Sequence, residues 1–180
     1  MMKRICLNVS LLAVLTMPVM AQTCKQDNIT PSHSIGQFLD NGDGTVTDIT
    51  NELMWSTCSL GQIYKDGNCA GSAKSFTIWD EALSAIDGSN NLAGYSDWRL
   101  PNIKELGSLV ERSCVAPAID LTLFPSTPSL PYWSNTFDRT GINSASNIKG
   151  LIVDFHDGAE IVRSINTQRL IRIVRDIPSQ

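Results

Sequence analysis

The stretch Asp97-Trp98-Arg99-Leu100-Pro101-Asn102-Ile103-Lys104-Glu105 brings two carboxylates beside Arg99, with an amide and an indole between them. Such a set can line a polar pocket at a helix start, where free backbone N–H groups attract an anion. It can also satisfy itself, as an ion pair beside a helix capped by Asn102, with Glu105 in the reciprocal capping position. The spacing favours the self-satisfied form, and Trp98, Arg99 and Asn102 stand as candidate ligand contacts on the other reading. Trp133 is a candidate platform for the CH face of a sugar, although tryptophans of a small domain more often fill its interior. Arg163, Arg169, Arg172 and Arg175 lie toward the end of the chain. Their guanidinium forks match sulfate and carboxylate geometry, and Arg169 and Arg172 join the candidate contacts. In an extended strand Arg169 and Arg175 share one face and Arg172 takes the other, so one continuous patch is not expected.

Asp40, Asp43 and Asp48 offer hard oxygens at close spacing, the candidate ligands for calcium. Gly42 and Gly44 fall where an EF-hand loop would place ligands, so turn formation is the favoured use of these residues. No other cofactor is expected. His33 sits in a polar segment, His156 sits beside Asp157 at a turn, and Gly-x-Ser-x-Gly is absent. The expectation is a protein that is not an enzyme. Two histidines and no Cys-x-x-Cys spacing disfavour zinc.

The elements that must hold these residues begin with a leader. Lys3 and Arg4 precede an apolar run, Leu7 to Met20, and Val19-Met20-Ala21 suits a cleavage site. That order reads as a secretory signal peptide over residues 1–21. The run is shorter than the ~20 residues that cross a bilayer, so no membrane span is expected after cleavage. Export puts the chain in the periplasm, in the medium or on the cell surface of a bacterium. Cleavage removes two cations and no acid, taking the net charge from −4 to −6, a poor balance for nucleic acid. Cys6 leaves with the leader, and Cys24, Cys58, Cys69 and Cys114 form an even set in an oxidising compartment. Three pairings exist. Cys58–Cys69 is favoured because it closes a short polar loop, which leaves Cys24–Cys114.

Residues 22–35 read as an amino-terminal arm and 36–176 as one domain. Phe38 to Asp48 carries two β-prone runs around Asn41-Gly42-Asp43-Gly44, and Leu53-Met54-Trp55 adds a third strand. Phe76, Trp79, Leu83 and Ile86 recur at helical spacing, with Thr77 to cap and Gly88 to end the helix. Ile103, Leu106, Leu109 and Val110 form the stripe of a second helix. A proline-bearing stretch, 115–131, follows, and strands are expected at Tyr132–Ser134, Leu151–Phe155, Ala159–Ile165 and Leu170–Val174. The order is that of an α+β fold with an antiparallel sheet, two helices and disulfide staples.

Phe38 to Trp55, Gly94 to Leu109, Tyr132-Trp133-Ser134 and Arg169-Leu170-Ile171-Arg172 together resemble the Lcl C-terminal domain family, also called DUF1566. The resemblance spans about residues 36–176. The Arg99-Leu100-Pro101 element before a helix is also similar to a segment of C-type-lectin-like and formylglycine-generating-enzyme-like folds. The family resemblance implies an exported module of surface proteins with no established enzyme activity. The family's namesake is a collagen-like adhesin that binds sulfated glycosaminoglycans. The expected function is a non-enzymatic binding module for a glycan or a surface partner protein. The alternative is a structural or accessory subunit of a surface assembly such as a pilus or fibre.

Overall fold

The computed structural model describes residues 21–87, 91–138, 140 and 148–178. The expected leader, apart from Ala21, and the helix-ending Gly88 lie outside the described residues. In chain order, an arm strand β1 (Thr23–Cys24) precedes a meander of β2 (Phe38–Asp40), β3 (Thr45–Asp48) and β4 (Leu53–Ser56). A hairpin of β5 (Ile63–Lys65) and β6 (Asn68–Ala70) occupies the loop closed by Cys58–Cys69. The helices are α1 (Trp79–Asp87) and α2 (Ile103–Gly107), and β7 (Cys114–Val115) pairs back with β1. Strands β8 (Pro131–Asp138), β9 (Lys149–Asp154) and β10 (Ala159–Ser164) form an antiparallel sheet. The final strand, β11 (Val174–Asp176), joins β4 at the edge of the meander. This is the α+β, disulfide-stapled architecture that the sequence pattern calls for, and both expected bridges, Cys24–Cys114 and Cys58–Cys69, are present.

Local chemistry explains the meander. Asp40 accepts from Gly42 N, and Asp43 accepts from the backbone and hydroxyl of Thr45. Gly44 has φ +91°, and a Cβ there would lie 3.1 Å from the Tyr64 side chain, so only glycine fits both the turn and its neighbour.

Two apolar clusters lie on either side of the β8–β10 sheet. One joins Val46, Trp55, Leu106, Leu109, Tyr132, Val153 and Phe155; the other joins Trp79, Trp98, Leu100, Trp133, Ile152, Ile171 and Ile173. Alternation decides the side, because successive strand side chains point to opposite faces. Burying each of these large side chains contributes about 1.5–3 kcal/mol.

Three elements differ from expectation, one being the second helix, which ends at Gly107 so that Leu109 and Val110 of its expected stripe lie beyond it. The first helix begins at Trp79, because Phe76 exchanges backbone hydrogen bonds with Arg169 (2.9 and 3.0 Å) and Trp79 N donates to Ile165 O. The carboxyl-terminal chain thus holds Phe76 extended, and Glu81 accepts from Thr77 N at the helix start. The last ladder strand covers 174–176, whereas residues 170–173 run as a buried link. That link receives bonds from Trp133 N of β8, Ser56 N of β4 and Leu60 N of the loop after β4.

Candidate functional site

The Asp97–Glu105 motif folds upon itself. Asn102 caps α2 by accepting from Lys104 N and Glu105 N, and Glu105 reaches back to Asn102 N, closing the capping box. The Arg99 guanidinium donates to both Glu105 oxygens (2.8 and 2.9 Å) and to Asp176 at 2.6 Å. The Glu105 bond, followed by the Asp176 bond, raises the proton affinity of Arg99 against the opposing effect of burial. Asp97 takes Arg175 bidentately at 2.7 and 3.0 Å, and the Tyr95 ring stacks 3.9 Å from that guanidinium. Arg99 therefore ties α2 to β11 through Glu105 and Asp176, while the Asn102 side-chain oxygen is committed to the helix cap.

The two candidate tryptophans are interior. Trp98 is 5 % exposed and donates its indole N–H to Leu92 O, while Trp133 is fully buried. A Cβ on Gly150 would lie 3.0 Å from the Trp133 ring, so the sheet closes directly over the indole face. Neither presents a face to a sugar.

Arg172 also leaves the set of ligand contacts. It is fully buried, donates through Nη1 to Ser56 O and Thr57 O, and through Nη2 to Thr127 Oγ1 at 2.7 Å. Its guanidinium lies 4.8 Å from the centre of the Phe124 ring. No carboxylate among the described residues pairs with it. Burial lowers its pKa to about 10, still far above neutrality, so a charged clamp sits in the core. The neighbouring Tyr132 hydroxyl contacts Ser59 Oγ at 2.6 Å, and burial raises its pKa.

Arg169 is differently placed. It is half-buried in a cleft of about 300 Å³ lined by Ser75, Leu130, Pro131, Gln168 and Leu170. Its Nη1 donates to Gln168 O at 2.6 Å, and its Nε has no partner. Burial, then the positive charge of Arg163, lowers its proton affinity, with Asp154 opposing. Among the described residues neither Arg163 nor Arg169 has a carboxylate within ion-pair distance. Arg163 lies close enough for its charge to act on Arg169, while Arg172 is enclosed in the core and Arg175 is paired with Asp97.

The calcium candidates do not converge. Asp40 and Asp43 are engaged in their own turns, and the buried Asp48 accepts from Thr50 N, Asn51 N and Asn51 Nδ2. Among the described residues no group of three or more His, Cys, Asp and Glu side chains could hold a metal. Asn–Gly–Asp sequences bend the chain here because the side-chain oxygens reach the backbone two residues on.

Two features carry no clear sequence signal. His156 Nδ1 lies 3.0 Å from Ser129 Oγ, a contact across the chain, while Asp157 turns away to accept from Ala159 N. The imidazole thus meets a hydroxyl without an orienting carboxylate among its hydrogen-bond partners. The arm is docked by Glu111, which accepts from Ser32 N and Ser113 N beside His33, whose Nε2 donates to Ser108 O. Together they wall a cleft of about 460 Å³ over the Cys24–Cys114 bridge.

The sequence model of the Lcl C-terminal domain matches residues 44–175. The chain belongs to the Lcl C-terminal domain family. Curated proteins give no match to the chain. In this Lcl C-terminal domain the matched segment starts at the Gly44 turn and ends at Arg175, so it takes in Asp97 with Arg175, Arg99 with Glu105, the buried Arg172, Arg163 and Arg169, while Asp176 follows it. The arm and β2 precede it.

Proposed function

We propose that this Lcl C-terminal domain is an exported, non-enzymatic binding module of the periplasm or cell surface, and that its ligand is an anionic glycan. The carrying observation is Arg169, half-buried at a cleft with an unpartnered Nε, close enough to Arg163 for that charge to act on it, and with no carboxylate within ion-pair distance among the described residues. A sulfate or sugar carboxylate supplies the acceptor oxygens that such forks match. Gln168, which donates to Ser75 Oγ, and the apolar edge of Leu130 and Pro131 give a pyranose polar and apolar surface in the same cleft. Export accords with the leader-like amino terminus and the two disulfides. No helix among the described residues is long and apolar enough to cross a membrane.

The test is an array of sulfated, carboxylated and neutral glycans, run with and without calcium. Saturable binding to the charged members that falls at least about tenfold in Arg169→Ala, with His156→Ala unchanged, is the expected result. Binding by the Arg169→Ala and Arg163→Ala variants that matches the parent overturns the site. Co-purification with a surface complex, in the absence of glycan binding, assigns the domain to an assembly instead.

A further inference from the structure

We propose that the exported chain begins at Gln22 and that the fold holds this residue as an open-chain glutamine, a modification site closed to reaction while the arm is docked. The proposal rests on reading residues 1–21 as a cleaved leader, and Ala21, before the scissile bond, is exposed.

An amino-terminal glutamine cyclises without any oxidant or cofactor. Its neutral α-amine attacks the side-chain Cδ, the new N–Cδ bond forms, and the Cδ–Nε2 bond breaks. Nε2 takes up a proton and departs as ammonia, leaving pyroglutamate. In this protein Gln22 Nε2 donates to Pro117 O at 2.7 Å and to Ile119 O at 2.6 Å. Swinging Cδ onto the α-nitrogen pulls Nε2 away from both carbonyls. The leaving nitrogen must also gain a proton, yet both of its partners are acceptors. The product lactam retains one N–H, on the former α-nitrogen, and cannot reproduce the two donations. Docking and cyclisation therefore exclude each other.

The docking is independently anchored. Thr23–Cys24 pairs with Cys114–Val115, the Cys24–Cys114 bridge follows at once, and Ser32 N is held by Glu111. The arm's side of each contact lies before residue 44, outside the family-matched segment.

Intact mass and amino-terminal peptide mapping of the protein exported by its bacterial host test the proposal. The chain is then incubated, oxidised and folded or oxidised in urea, beside a synthetic peptide of residues 22–30 in each solvent. The expected result is a chain starting at Gln22 with its amide intact. Its ammonia loss is about tenfold slower when folded than in urea, while the peptide reacts alike in both. A chain starting elsewhere overturns the leader reading. A chain starting at Gln22 whose folded and urea rates agree overturns the protection.

Discussion

Replacing Arg172 with methionine keeps most of the side-chain volume and removes the charge together with every donor. Ser56 O and Thr57 O then lose their guanidinium donor in a site closed to water, at about 1–3 kcal/mol each. The bond to Thr127 Oγ1 and the stacking on Phe124 add about 1 kcal/mol each. Against this, the variant no longer holds a desolvated charge. Lowering the guanidinium from its ordinary value to about 10 corresponds to about 3 kcal/mol. The net loss is about 1–5 kcal/mol, or roughly 2–20 °C in Tm for a domain of this size. Scanning calorimetry under oxidising conditions reads it directly. Arg172→Lys is expected to be less stable than Arg172→Met. It retains the buried charge but cannot span from Ser56 O to Thr127 Oγ1 with one nitrogen. A methionine variant that melts at or above the parent temperature, or a lysine variant more stable than the methionine one, refutes the view that the fork clamps these segments.

Four further outcomes follow from the geometry. Asn102→Ala should lower stability by about 1 kcal/mol in urea titration through loss of the α2 cap, with glycan binding unchanged. Gly158→Ala should lower Tm by several degrees, by about 2 kcal/mol or more. Gly158 has φ +79°, and a Cβ there collides with the Val110 side chain. Removing Cys24–Cys114 should destabilise by about 5 kcal/mol and removing Cys58–Cys69 by about 3, because the first closes the longer loop. Paired serine variants compared in urea check the order. Burial acts to raise the Glu111 carboxyl, but the bonds from Ser113 and Ser32 and the nearby His33 outweigh it and hold it below its ordinary value. A carboxyl lowered in the fold contributes stability above its unfolded pKa and loses it as pH falls through the folded one. Protection of the Ser32 amide, measured against its intrinsic exchange rate, should therefore fall as pH drops through the lowered Glu111 pKa, and Glu111→Gln should abolish that change in protection.

Much of the site chemistry was legible where the interaction is local. Asn102 and Glu105 stand three residues apart, and a capping box needs nothing beyond that spacing and a helix to follow. The Asp40–Gly44 turn is equally local, which is why residue order suffices to mark its carboxylates as turn formers. Phe76 shows where such reading stops. Its spacing to Trp79 and Leu83 is helical, yet Arg169, far along the chain, captures its backbone and holds it extended.

Residue types, turn spacings and the even cysteine set by themselves determined an α+β, disulfide-stapled fold, its family and the position of α2. Each of those depends on short-range sterics, on alternation, or on a count. Tertiary structure alone decided which arginines are free. Arg163, Arg169, Arg172 and Arg175 carry the same group, but Asp97 neutralises one, the core encloses another, Arg169 lines a cleft, and Arg163 stays exposed. Burial and the approach of a counter-charge are set by segments distant in sequence, so no local pattern can announce them.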